Sequence, residues 1–396
     1  MVGLVLVLLT RDGRQDVTPA TPSDAPRASP AEAASALAAF VEAVERRDAR
    51  ALEQLAPPSP PAARDLLSDI AANVDSLDLD GVSARYVDQA GAVAPDGSWS
   101  GVAELGWRLR GFDQEAARSE VVVRFAPSGE GLGIVGFEAR GDGTRLPLWL
   151  RAPLSVTRSD RVLVMVDGPQ DEADSVAARA TRGIGVVRRV LPDWSGPVVV
   201  EVPATAADLD EALGVAPGTY AGIAAVTAPA GSDDDGRGPV HVFVNPDVTD
   251  GLRRAGAQVV MSHELVHVAT DAVRRPVESW LLEGFADYVA LRDSPLPDDV
   301  TLGRAIAAAR RDGVPRSLPR ATDFDTRGQD LQARYEEAWL ACRIIAERGG
   351  ENGLKDLYLR ASGGGSTKRL LRHSSLPLNA LVKTWRDRLR LLSRSS

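Results

Sequence analysis

Val259-Val260-Met261-Ser262-His263-Glu264-Leu265-Val266-His267-Val268-Ala269 holds two of the four histidines found in 396 residues, one helical turn apart. On a helix, positions i and i+4 share a face, so His263 and His267 can reach a single metal ion. Glu264 projects beside that face, where it can take a proton from a water that the ion activates. Nearly every other residue of the stretch is apolar, as expected of a buried helix. Burying two imidazoles and a carboxylate is costly unless something coordinates them. The expected ion is Zn2+, one per chain.

Two histidines leave the ion a ligand short. A third histidine in the pattern H-E-x-x-H-x-x-G-x-x-H would require glycine and histidine where the chain carries Thr270 and Val273. The next helical stretch, Trp280-Leu281-Leu282-Glu283-Gly284-Phe285-Ala286-Asp287-Tyr288-Val289-Ala290, is apolar except for Glu283 and Asp287, one turn apart. Two carboxylates on one buried face repel each other in the absence of a cation. A metal ion for Glu283 and an imidazole N–H for Asp287 would satisfy both. Gly284 suits a helix packed tightly against the histidine helix.

His263-Glu264-Leu265-Val266-His267, followed by Glu283 within Trp280-Leu281-Leu282-Glu283-Gly284-Phe285-Ala286, resembles the gluzincin zinc peptidases and the broader peptidase MA-like domains. The resemblance is specific over residues 255–292 and looser over 155–396. It implies a zincin fold in which His263, His267 and Glu283 are ligands, Glu264 is general base and later proton donor, and Asp287 orients a ligating histidine. It also implies a Tyr or His from a later helix that steadies the developing oxyanion. Tyr335 is the first candidate for that donor, with a core-edge aromatic as the alternative, then His373, then His241. Gluzincin aminopeptidases carry a Gly-x-Met-x-Asn strand that Val240-His241-Val242-Phe243-Val244-Asn245 lacks. An endopeptidase or another amide substrate is therefore expected, and residues 240–245 are expected to offer an edge to an extended peptide.

Upstream, Leu37, Phe40, Val41 and Val44 recur at helical spacing, which predicts a helix over 31–55, and a second helix is expected over 62–74. Strand-like runs come next at 82–87, 101–109, 120–125 and 133–139. Helices followed by long antiparallel strands predict an α+β unit with helices on a curved sheet. Phe40-Val41-Glu42-Ala43-Val44, then Arg47-Asp48-Ala49 and Leu52, resembles the first helix of the cone-shaped SnoaL-like family. Gly131-Leu132-Gly133-Ile134-Val135-Gly136 fits G-x-G-x-x-G, the dinucleotide fingerprint, which needs a helix directly after it. Phe137-Glu138-Ala139-Arg140-Gly141-Asp142-Gly143 reads instead as strand and turn, so a hairpin is expected and no dinucleotide site. The fold class expected overall is α+β. Its segments are 1–30, a truncated anchor and Pro/Ser-rich tether; 31–153, the SnoaL-like unit; and 154–396, the metallopeptidase domain.

Val2–Leu9 is far shorter than the ~20 residues of a membrane span. Joined to the Pro-rich stretch after it, it reads as the tail of an N-terminal membrane anchor or as a ragged start before a soluble protein. An extracytoplasmic place at a bacterial cell surface is expected, with a cytoplasmic one left open. The net charge of −9 argues against nucleic acid as a partner. Only Lys355, Lys368 and Lys383 among the 46 basic residues are lysine, a composition bias that leaves the arginines without weight as phosphate ligands. The single cysteine, Cys342, excludes an internal disulfide and is expected to fill core. The sequence supports a zinc-dependent peptidase acting on a peptide or protein. The alternative is a catalytically silent zincin-fold protein kept for binding or scaffolding at the cell surface.

Overall fold

The computed structural model describes residues 27–129, 131–141, 143–232, 237–372 and 376–395, and the fold is mixed α+β. The expected anchor and most of the tether lie outside the described residues. Among those described, no helix is long and apolar enough to cross a membrane.

Three helices come first among the described residues: α1 (Pro30–Arg46), α2 (Ala49–Gln54) and α3 (Ala62–Leu77). The helix predicted over 31–55 is broken in two, because Arg47 turns left-handed (φ 53°) and the Asp48 carboxylate caps the Ala51 N–H at 3.0 Å. Strands β1 (Leu79–Ala90), β2 (Trp99–Leu109), β3 (Ala117–Ser128) and β4 (Gly131–Ala139) form an antiparallel meander in that order. The G-x-G-x-x-G run is thus a strand paired with β3. Gly133 is required there: a Cβ would lie 2.7 Å from the Pro57 nitrogen and 2.8 Å from the Leu55 carbonyl oxygen.

The chain then builds a second sheet from β5 (Ser155–Arg158), β6 (Val162–Val166), β7 (Val198–Val202), β8 (Ala225–Pro229) and β9 (Val240–Val244). Its order is β5-β6-β7-β9-β8, with β6, β7 and β9 parallel and the two edges antiparallel. Helix α4 (Gln170–Val190) crosses from β6 to β7, and α5 (Ala206–Ala212) follows β7. The expectation that residues 240–245 form an edge is corrected. β9 is flanked on both sides, by β7 and by β8, and β8 is the edge strand beyond it.

Beyond β9 the chain is helical: α6 (Pro246–Thr249), α7 (Arg254–Thr270), α8 (Ser279–Ala290), α9 (Asp298–Thr301), α10 (Gly303–Asp312), α11 (Leu331–Ser362, broken at Gly350 with φ 74°), α12 (Thr367–Arg372) and α13 (Leu378–Ser395). Leu381, Trp385 and Leu389 of α13 are fully buried on one stripe and close the helical layer.

Alternation along the central strands divides the molecule. Val162, Val164, Val166, Val198, Val200 and Val202 face α4, α7, α8 and α11. Leu163, Met165 and Val199 point the other way, into the core built by α1–α3 and the meander. The second sheet is therefore covered on both faces, which is why its strands read as unbroken apolar runs.

Candidate metal centre

Close approach of two helices seats α7 in the core. A Cβ on Gly183 of α4 would lie 2.8 Å from Leu265 Cδ1, so the glycine lets α4 come this near without displacing the Leu265 side chain. Met261, Leu265 and Val266 fill the core, and His263, Glu264 and His267 are also buried. Helix α8 crosses α7 with Glu283 and Asp287 turned toward it. The expectation that Gly284 meets the histidine helix is corrected. Its added Cβ would lie 2.3 Å from the Ala338 carbonyl oxygen and 2.8 Å from Cys342 Sγ, so α11 is the helix it admits. Cys342 is core there, in line with its apolar surroundings in the sequence, and burial pushes its thiol pKa up.

Three donor atoms converge. His263 Nε2 lies 3.1 Å from Glu283 Oε2 and 3.0 Å from His267 Nε2, and His267 Nε2 is 3.4 Å from Glu283 Oε2. A tetrahedral ion with bonds of about 2.0–2.1 Å separates its ligands by about 3.3–3.4 Å. His263 Nδ1 donates to Asp287 Oδ1 at 2.8 Å, which turns the Nε2 lone pair toward the other two donors. Lone pairs so arranged repel unless a cation lies between them, so the donor set fits a metal ion. His267 Nδ1 is buried with no hydrogen-bond partner among the described residues.

The electrostatics follow from this crowding. Burial disfavours the imidazolium of His263, but Asp287, Glu283 and Glu264 outweigh it and hold the pKa well above the ordinary value. Burial likewise opposes ionisation of Glu283, yet His267 and His263 keep its carboxyl well below the usual range. The site is built to keep a carboxylate charged inside the protein.

Glu264 is held from the opposite side. The Thr227 hydroxyl, on the edge strand β8, donates to Glu264 Oε2 at 2.7 Å. Tyr335, in the first turns of α11, packs edge-on against His263 with ring centroids 6.0 Å apart and rests on Phe324. Burial, then Glu283, Glu264 and Asp287, push its pKa up, so the phenol stays protonated. Glu264 and Tyr335 border a cleft of about 700 Å³ that also reaches Glu336. Burial raises the Glu336 carboxyl to about 7, against a 2.7 Å hydrogen bond from the Ala305 N–H.

The structure thus brings His263, Glu264, His267, Glu283, Asp287 and Tyr335 together. It does not bring His241, whose Nδ1 and Nε2 are engaged by Glu201 (2.6 Å) and Asp113 (3.0 Å) on the far side of the sheet. That corrects its standing as a donor candidate: both ring nitrogens are already bound. His373 lies outside the described residues. Thr227 and Glu336 escaped the sequence reading because neither carries a local signal. Thr227 is 37 residues from its partner and reads as an ordinary strand residue, and Glu336 reads as one acid among several on α11.

No protein-family model matches the chain, and no curated protein matches it either.

Proposed function

We propose that the protein is a zinc-dependent peptidase, with His263, His267 and Glu283 holding the ion. The observation that carries this reading is the convergence of those three donors, one of which, His263, lines a cleft together with Glu264 and Tyr335, with Asp287 hydrogen-bonded behind His263. Zinc, when bound, supplies a Lewis acid that brings the pKa of water toward neutrality. Glu264 accepts the proton and returns it to the leaving amine; Thr227 fixes the carboxylate that does so. Tyr335 donates from its protonated hydroxyl to charge developing on the carbonyl oxygen. Asp287 holds His263 in the tautomer that leaves Nε2 free. The edge strand β8, which carries Thr227, offers main-chain groups to an extended peptide.

Zinc content and cleavage of casein and a broad peptide library test this in wild type, Glu264→Gln and Glu283→Ala. One zinc per chain is expected in wild type. Glu264→Gln should keep zinc and lose about 10²–10⁴-fold in turnover, and Glu283→Ala should lose the metal. Wild type that binds zinc and cleaves nothing would overturn the peptidase in favour of a binding or scaffold protein. Absence of zinc would overturn both.

A further inference from the structure

The cleft beside Glu264 exposes more apolar surface than the ligand set and general base require. Leu252, Leu296 and Val300 are among the few large apolar side chains exposed in the described residues, and all three line it. Leu296, just before α9, and Val300, within it, are 53% and 57% exposed. Val259 and Val260, on the helix that carries both histidines, are only half-buried because they face the same space. From His263 back to Ala255 the floor of the cleft follows α7 for about 12 Å. Soluble proteins keep contiguous apolar surface of this kind for ligands.

Charge is distributed unevenly along it. His263, Glu264, Asp287 and Glu336 are the titratable residues where α7, α8 and α11 meet, beside the polar Gln332 and the Tyr335 phenol. Elsewhere in the lining, the basic side chain among the described residues is Arg189, and it is ion-paired with Asp293. A terminal carboxylate or a phosphate would find no uncommitted cation there. The cleft also adjoins β8: Ala225, the first residue of that edge strand, is part of its wall, and Thr227 two residues on meets Glu264. A peptide extended along β8 turns every second side chain to the same face.

We propose that the cleft is a specificity pocket for a large apolar side chain, so that the substrates are internal, apolar stretches of polypeptide with their charged termini elsewhere. This rests on the peptidase reading above and adds the substrate class to it.

Gly256 supplies the means to test it. Gly256 lines the cleft, and a Cβ added there would approach nothing more closely than Leu252 Cβ at 3.8 Å, so there is room to start a side chain at the cleft wall. The probes are hexapeptides blocked as acetyl and amide, identical except for Leu, Phe, Ala, Lys or Glu at one central position. Binding is measured by fluorescence anisotropy on zinc-loaded Glu264→Gln protein, alone and combined with Gly256→Leu or Val300→Asp. Circular dichroism checks the fold of each variant. The Leu and Phe peptides should bind at least tenfold tighter than the other three. Gly256→Leu should abolish the preference for Phe, and Val300→Asp should weaken Leu severalfold while strengthening Lys. Equal affinity across the series, no binding of any peptide, or at least tenfold tighter binding once the ends are unblocked would overturn the proposal. Cleavage of the same peptides by wild type answers separately for the reaction. Selective binding without cleavage upholds the pocket and overturns the peptidase; cleavage without selectivity does the reverse.

Discussion

His263 has both ring nitrogens committed, one to Asp287 and one to the donor cluster, whereas His267 has only its Nε2 engaged. The two histidines are therefore unequal, and removing Asp287 should be felt at the metal through His263 alone. Asp287→Ala is expected to weaken zinc binding by about 10–100-fold, the usual cost of losing such a partner. Competition with a chromophoric chelator measures this, and an unchanged affinity would remove Asp287 from its positioning role. At this scale the site is legible in the sequence wherever one helix carries the chemistry. His263, Glu264 and His267 announce themselves by spacing, as do Glu283 and Asp287. Thr227 does not, because a hydrogen bond across 37 residues is made by the tertiary fold and leaves no periodicity in the chain.

Between elements, the hydrophobic pattern shows that a helix face is tight but not which neighbour makes it so. Gly284 illustrates the difference, since the pattern points to α7 and the close approach belongs to α11. A Cβ there would sit 2.6 Å from the Ala338 carbonyl carbon as well as 2.3 Å from its oxygen. Both are backbone atoms, so the two helices must separate. Gly284→Ala is thus expected to destabilise by about 1–3 kcal/mol, despite a helix-propensity gain of about 1 kcal/mol. Because Glu283 and Asp287 ride on the same helix, zinc affinity should fall with it. Gly185, exposed on α4 with nothing within 4 Å of the place a Cβ would take, is the matched control. Gly185→Ala should raise the midpoint of thermal unfolding, and Gly284→Ala should lower it. Midpoints moving in the same direction would mean that packing against α11 is not what the glycine serves. The helix predicted over 31–55 shows a similar gap between pattern and structure. Its apolar spacing continues across residue 47, while a left-handed Arg47 and the cap at Asp48 end the helix there.

Across the whole molecule, the sequence suggests two units in series, while one hydrophobic core runs from the meander onto the outer face of the second sheet. Long apolar strands say that β6 and β7 are buried, but not by what. At this seam His241, 1% exposed, is held between Glu201 of β7 and Asp113 from the turn after β2. Arg145 crosses the same seam to the Pro229 carbonyl at the end of β8, and the Ser232 N–H donates to the Arg118 carbonyl at 2.8 Å. The N-terminal elements therefore brace the strand from which Thr227 reaches Glu264. Burial disfavours the His241 imidazolium, but Asp113 and Glu201 together raise its pKa from 6.5 to about 10. Within that window the folded protein retains a proton that the unfolded chain has released, so stability falls as pH rises. The contribution is complete below about pH 6.5 and gone above about pH 10. Urea midpoints at pH 7, 8 and 9 should accordingly decline for wild type. His241→Gln should start lower at pH 7, since it leaves two carboxylates buried without their cation, and should decline less steeply. Asp113→Asn, which removes one of those carboxylates, should lie between the two in slope. Parallel declines in all three proteins would show that His241 carries no proton at the seam, leaving apolar packing and the Arg145 and Ser232 hydrogen bonds to hold the meander to the sheet that bears the site.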